Sequence, residues 1–194
     1  MNYRIIAIAL LATQLGSIVA ASDCRRSPAG FAKNLDQCCR RPKPNLSAYS
    51  RECPNIAERF RTSELDKVDC LFKAADILNG EQLKLDNTRK MLKKLYPNDP
   101  EFATAALVSF EKCQSVVKAR LAKIPKRRPT ISAPQPSAVT RNMILIGYIT
   151  CAGHELPLNC PPKLWISSNE CEITRDYLTN CQSIMGGNRH FIGR

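Results

Sequence analysis

Residues 151–181 read CAGHELPLNCPPKLWISSNECEITRDYLTNC and hold four of the chain's ten cysteines together with its single Trp. Eight residues separate Cys151 from Cys160, Pro161 and Pro162 follow at once, and Cys171 and Cys181 come after intervals of ten and nine residues. The two prolines stop any helix after Cys160, because neither ring nitrogen can donate and both hold φ in a narrow range. Ser167 and Glu170 have the S-x-x-E spacing of a capping box, which predicts a new helix from about Ser168 to Cys181. The stretch therefore reads as a loop leading into a helix, within a disulfide-tethered C-terminal extension over residues 161–194.

Upstream, Met143, Ile144, Leu145, Ile146, Tyr148 and Ile149 make residues 141–151 apolar almost all round. A helix of that kind has to be buried on most sides. Before it, residues 124–140 read IPKRRPTISAPQPSAVT, a proline-rich loop with the basic cluster Lys126-Arg127-Arg128. The longest predicted helix starts at Asp99, with Pro100 in its first position, and carries Phe102, Ala106, Phe110, Cys113 and Val117 as an apolar stripe. Asp86 begins a helix with Met91, Leu92 and Leu95, stopped by Tyr96-Pro97. Ser63 caps a predicted helix over Glu64 to Asn79, ended by Gly80. Two shorter helices are expected, over Pro28 to Cys39 and Ile56 to Arg61. Asn45-Leu46-Ser47 is a glycosylation sequon, read equally well as an unused loop triplet.

No sustained period-2 alternation and no Asn-Gly hairpin between apolar runs is evident, so the expected class is all-α. The expected architecture is a compact disulfide-cross-linked bundle of about six to eight helices around an apolar pocket. At the N-terminus, Arg4, the apolar run Ile5 to Leu11 and Val19-Ala20-Ala21 read as a secretory signal peptide over residues 1–21. That run is too short to span a membrane. Residues 22–194 then form one domain of ordinary size, and the expected location is secreted and extracellular.

An even number of cysteines in an exported chain points to a disulfide framework made of Cys24, Cys38, Cys39, Cys53, Cys70, Cys113, Cys151, Cys160, Cys171 and Cys181. Five intramolecular bridges with no free thiol are expected. Metal ligation is disfavoured, since no C-x2-C pair occurs and His154 and His190 are the only histidines. Connectivity does not follow from sequence.

The cysteine spacing resembles the insect odorant-binding proteins, specifically their Plus-C group. Cys160-Pro161 matches that group's proline after the sixth core cysteine. Cys151-x8-Cys160 matches the fifth and sixth, and Cys70-x42-Cys113 matches the third and fourth. The similarity covers most of residues 22–194. One position departs: the second core cysteine would stand four residues before Cys70, where this chain has Asp66. The resemblance implies pairing of Cys113 with Cys160 and of Cys70 with Cys39, and leaves the other pairs open. It also implies a small hydrophobic ligand, an odorant, pheromone or similar molecule, carried through aqueous lymph to a membrane receptor. Monomer and homodimer are both compatible with it.

With 29 Lys and Arg against 17 Asp and Glu the chain carries +12, and loss of the signal with Arg4 would leave +11. Such a charge attracts anionic partners without identifying one. A nucleic-acid role is disfavoured, because the basic residues are dispersed and no zinc finger or RNA-binding signature occurs. Catalysis is disfavoured too: Cys38-Cys39 is followed by Arg40-Arg41-Pro42 where a secreted phospholipase has its catalytic His, and no G-x-S-x-G elbow exists. No cofactor is implied.

The reading that remains is a carrier for small hydrophobic ligands. Its alternative is a basic, disulfide-rich structural or defence protein acting on anionic surfaces. Candidate pocket residues are Phe72, Phe102, Phe110, Tyr148 and Trp165, each readable instead as ordinary core, with Trp165 as a cover over the Cys160–Cys171 loop. His154 is a candidate pH-sensitive group, set against an exposed loop residue without consequence and against His190.

Overall fold

A computed structural model describes residues 24–57, 63–123 and 138–181. The signal peptide reading, Lys126-Arg127-Arg128 and the tail with His190 all lie outside them. The described residues form six α-helices: α1 (Phe31–Gln37), α2 (Glu64–Ala74), α3 (Leu85–Leu95), α4 (Pro100–Ala122), α5 (Ala138–Glu155) and α6 (Asn169–Asn180). A two-stranded antiparallel hairpin, β1 (Leu78–Asn79) and β2 (Gln82–Leu83), stands between α2 and α3. The fold is mostly helical and compact, cross-linked by five disulfides with no free cysteine.

Each helix boundary has a local cause. Ser63 Oγ accepts the Asp66 N–H at 3.1 Å and donates to the Asp66 carboxylate, satisfying a free donor of the first turn of α2. The expected continuation of α2 to Asn79 does not occur. Asp76 adopts φ 49°, its N–H donates to the Lys73 carbonyl, and the Ile77 N–H donates to the Phe72 carbonyl, so a Schellman turn closes α2 at Ala74. Glycine or asparagine normally occupies that left-handed position. Here Asp76 is held by Lys84 Nζ on its carboxylate at 2.7 Å and by Asn87 Nδ2 on its carbonyl at 2.8 Å. Residues 78–83 then form the hairpin, with Gly80 at φ 60° in the first position of a two-residue turn, the place where such a turn needs glycine.

Other expectations need smaller corrections. The first helix is Phe31–Gln37, shorter than Pro28 to Cys39, because Cys39 leaves the helix to bridge Trp165 in extended pairing. Residues 54–57 form turns where a helix from Ile56 was expected, and 58–62 lie outside the described residues. The cap of α6 is Ser168, whose hydroxyl accepts the Cys171 N–H at 3.3 Å, rather than Ser167. The last long helix begins earlier and runs past Cys151, so His154 lies within it.

The core sits where α2, α3, α4 and α5 meet. On α3, Thr88, Met91, Leu92 and Leu95 recur at helical spacing and are buried. The buried face of α4 includes Ala103, Ala105 and Ala106, small enough to let neighbouring helices approach. Gly147 on α5 does the same: a Cβ there would stand 3.2 Å from Val117 Cγ2 on α4. Contrary to the sequence expectation, α5 is not buried on most sides. Ile144, Leu145 and Tyr148 are buried, while Met143 is 44% and Ile146 50% exposed, because among the described residues only one side of α5 is covered. Arg141 on α5 bonds Asp69 on α2, which also pairs with Lys73. Burial alone would raise the Asp69 carboxyl, but hydrogen bonds from Lys73 and Arg141 and their charges outweigh it and hold Asp69 below the usual carboxylate range.

The disulfides are nested: Cys24–Cys181 encloses Cys38–Cys171, which encloses Cys39–Cys160, and inside that lie Cys53–Cys70 and Cys113–Cys151. The pairings implied by the family resemblance, Cys113 with Cys160 and Cys70 with Cys39, are therefore both replaced. Cys113 and Cys151 face one another across the α4–α5 contact with Cα atoms 5.8 Å apart, within bridging range. Cys160 lies beyond that helix pair, where Pro161 and Pro162 turn the chain back beside Cys39.

Candidate functional site

A cavity of about 270 Å³ lies between α2, α3, α4 and α5. Helix α2 contributes Val68, Leu71 and Phe72; α3 contributes Met91, Leu92 and Leu95. From α4 come Phe102, Ala106, Ser109 and Phe110, and from α5 Ile149, Ala152 and Gly153. Tyr96, Leu156 and Arg41 complete the lining. These residues converge because each helix carries its apolar side chains at i, i+3 and i+4 and so turns one continuous stripe inward. Arg41 and Ile149 are the exposed members of the lining, and the cavity meets solvent beside them.

Aromatic rings stiffen the wall. Phe72 and Phe110 meet edge to face at 6.2 Å, and Tyr96 and Phe102 at 4.7 Å, geometries that favour fixed ring positions. A sealed void of this size would cost on the order of 6 kcal/mol at about 24 cal/mol per Å³, and less where it is open to water. Cys53–Cys70 anchors the start of the wall on α2, and Cys113–Cys151 joins α4 to α5 directly behind it. For loops of these lengths the restriction of the unfolded chain is worth about 3 and about 4 kcal/mol. The two inner bridges thus match the loss of packing.

Of the five side chains singled out from the sequence, Phe72, Phe102 and Phe110 line the cavity and Tyr148 and Trp165 do not. Tyr148 is fully buried away from the cavity, where its hydroxyl donates to the Glu81 carbonyl at 2.8 Å and ties α5 to the hairpin. Burial pushes its phenol up to about 12. Trp165 sits in the terminal layer: its indole Nε1 donates to Glu172 Oε1 at 2.8 Å, and the Arg175 guanidinium lies 3.6 Å over the ring.

The site also includes residues that sequence reasoning passed over. Met91, Leu92 and Leu95 carried a visible helical period, but a period distinguishes inside from outside and not cavity from core. Arg41 followed the cysteine pair without any local sign of its destination. The buried polar side chain of the wall, Ser109, donates its hydroxyl to the Ala105 carbonyl at 2.9 Å and accepts from Asn159 Nδ2 at 3.5 Å. Among the described residues no group of three His, Cys, Asp or Glu side chains is placed to hold a metal ion.

His154 lies outside the lining, on α5 next to Gly153, with its ring 6.0 Å from that of Phe31 on α1. Burial, with a smaller contribution from the positive charge of Arg120, lowers its pKa below the ordinary histidine value. It is a partly buried helix residue at the junction between α5 and the terminal layer, not an exposed loop residue.

Comparison of the chain with family models, with curated proteins and with solved structures returns no match. Among the described residues no helix is long and apolar enough to cross a membrane.

Proposed function

We propose that this protein is a secreted, non-catalytic carrier of small hydrophobic molecules, working in the manner of the odorant-binding proteins that its cysteine spacing resembles. The observation that carries this reading is the cavity of about 270 Å³ walled by the apolar faces of four helices and open at one side. Its lining is mostly aliphatic and aromatic with few polar groups, the composition expected of a ligand pocket, and its volume lies just below the usual range of about 300–1,000 Å³. The disulfide pairing does not follow the scheme implied by the resemblance, so the cavity supports the proposal more strongly than the cysteines do. Five disulfides are compatible with the oxidising surroundings of a secreted chain.

A ligand of roughly ten to fifteen heavy atoms, contributing about −0.3 to −0.6 kcal/mol each, would bind with millimolar to micromolar dissociation constants. The test is direct titration with a neutral polarity-sensitive probe, N-phenyl-1-naphthylamine, followed by displacement with medium-chain alcohols and esters. Saturable uptake with a blue-shifted emission is expected, and Phe110→Ala should change probe affinity per folded molecule. Absence of saturable uptake by the folded protein would reject the carrier reading.

One observation favours the alternative of a basic protein acting on anionic surfaces: Met143 and Ile146 form an exposed apolar strip on a chain of net charge +12. Binding to anionic vesicles that weakens as salt rises, with no probe uptake, is the result which that reading requires.

A further inference from the structure

The cavity wall is uncharged except at one place. Among the described residues Arg41 is the only charged one in the lining, and its side chain is 39% exposed. The backbone beneath it is held firmly. Cys38 and Cys39 are bonded to Cys171 and Cys160, the Arg40 N–H donates to the Leu164 carbonyl at 2.8 Å, and Pro42 restricts the chain on the other side. The backbone on either side of Arg41 is therefore fixed, and its side chain is part of the cavity lining.

The present partners of Arg41 leave donor capacity free for a ligand. Asp36 Oδ1 lies 3.2 Å away on a side chain 74% exposed, an ion pair of little strength in water. The Leu35 carbonyl accepts at 3.5 Å, the outer limit of a hydrogen bond. Tyr96 lines the same cavity; burial raises its phenol pKa and the charge of Arg41 acts against that rise, so the two groups are within electrostatic reach. The phenol stays protonated at neutral pH and can donate.

We infer that this cavity selects an amphiphile with a carboxylate head, a medium-chain monocarboxylate whose tail lies between α2, α3, α4 and α5 and whose head pairs with Arg41. The inference rests on the carrier reading above and specifies its ligand. A planar guanidinium offers two parallel N–H donors to a carboxylate, a match that an alcohol or ester cannot reproduce. A cavity of about 270 Å³ suits a medium-chain tail. With the Ser109 hydroxyl engaged by the Ala105 carbonyl and Asn159, the rest of the wall is suited to hydrocarbon.

The experiment displaces N-phenyl-1-naphthylamine from the full chain, disulfides intact, with decanoate, decan-1-ol and methyl decanoate at pH 7.5. Decanoate should bind at least about tenfold more tightly than the alcohol or ester, the scale of one charge-assisted hydrogen-bond pair, and the margin should narrow at high salt. Arg41→Gln should raise the decanoate Kd by about the same factor and change the affinity for the alcohol and the probe by much less, so that the preference is lost. Arg40→Gln, whose side chain is not part of the lining, should retain it. Equal affinity for all three compounds in the parent, or an equal loss for all three in Arg41→Gln, overturns the carboxylate assignment while the carrier reading stands. If the neutral probe itself does not bind, the carrier reading falls and the assignment falls with it.

Discussion

Among the described residues, the buried cluster centred on helices α2 to α5 holds 22 residues, whereas the one between α1 and α6 holds three, Phe31, Leu35 and Leu178. Disulfides are distributed in the opposite sense. Two bridges lie within the larger body, and three join the terminal segments, pairing Cys24, Cys38 and Cys39 with Cys181, Cys171 and Cys160. Hydrophobic burial grows with the area removed from water, so a cluster of three side chains is too small to hold two short helices by itself. Cross-links supply what burial lacks. Between them run backbone contacts, Ile166 N–H to the Cys38 carbonyl at 2.9 Å and Arg40 N–H to the Leu164 carbonyl, and side-chain links, Asn34 Nδ2 to Thr174 Oγ1 at 3.1 Å and Tyr177 Oη to the Cys24 carbonyl at 3.4 Å. The body is held by its core and must tolerate a cavity; the terminal layer is held by covalent bonds and carries Arg41 to the edge of that cavity.

The strongest way to break this division is to remove the bridge that spans the body. Replacing Cys113 and Cys151 together by Ala should cost about 4 kcal/mol through loop-closure entropy, seen as a lower midpoint of a single guanidinium unfolding transition. A shift below about 1 kcal/mol would mean that the α4–α5 packing needs no bridge beside the cavity.

A smaller and more local effect is expected from Leu178→Ala, which empties the centre of the terminal cluster. The change should cost about 3 kcal/mol, expressed as loss of amide protection in α1 and α6 while α5 keeps its slow exchange. Equal loss of protection throughout would show one cooperative unit and dissolve the distinction.

The smallest effect concerns the contact between the two regions at His154. Its folded-state pKa is depressed by burial and by Arg120, so the unfolded chain binds the proton more readily. Stability is then fully present above the ordinary histidine value of 6.5 and declines as pH falls below it towards the depressed folded value. The parent protein should lose stability between pH 7.5 and 5.5, and His154→Gln should lose measurably less over the same interval. An identical decline in both would place the response in other groups, with His190→Gln as the comparison.

Several elements were legible in the residues themselves. Asp99-Pro100 starts the 23-residue α4, Tyr96-Pro97 follows the end of α3, and Ser63 caps α2, because caps and proline act within one turn of the chain. Where a boundary depended on distant partners the reading failed. Asp76 looks unsuited to a left-handed turn until Lys84 and Asn87 are folded against it, so the end of α2 and the hairpin after it stayed hidden. Exposure of Met143 and Ile146 was invisible for a similar reason, since an apolar side chain does not state which of its neighbours arrives.

By itself, then, the sequence determined the mostly helical character, the presence of a disulfide framework and the inward stripes of α3 and α4, all of which follow from interactions within a few residues. Only the tertiary structure decided which cysteine meets which, because pairing requires Cα atoms within about 7 Å and that depends on how the helices dock. It also decided the fate of the aromatic residues. Phe72, Phe102 and Phe110 reach the cavity while Tyr148, on an equally apolar helix, turns to the Glu81 carbonyl and Trp165 to Glu172 and Arg175. Local periodicity selects the face that leaves water, and the packing of one helix against another selects whether that face meets side chains or leaves a space between them.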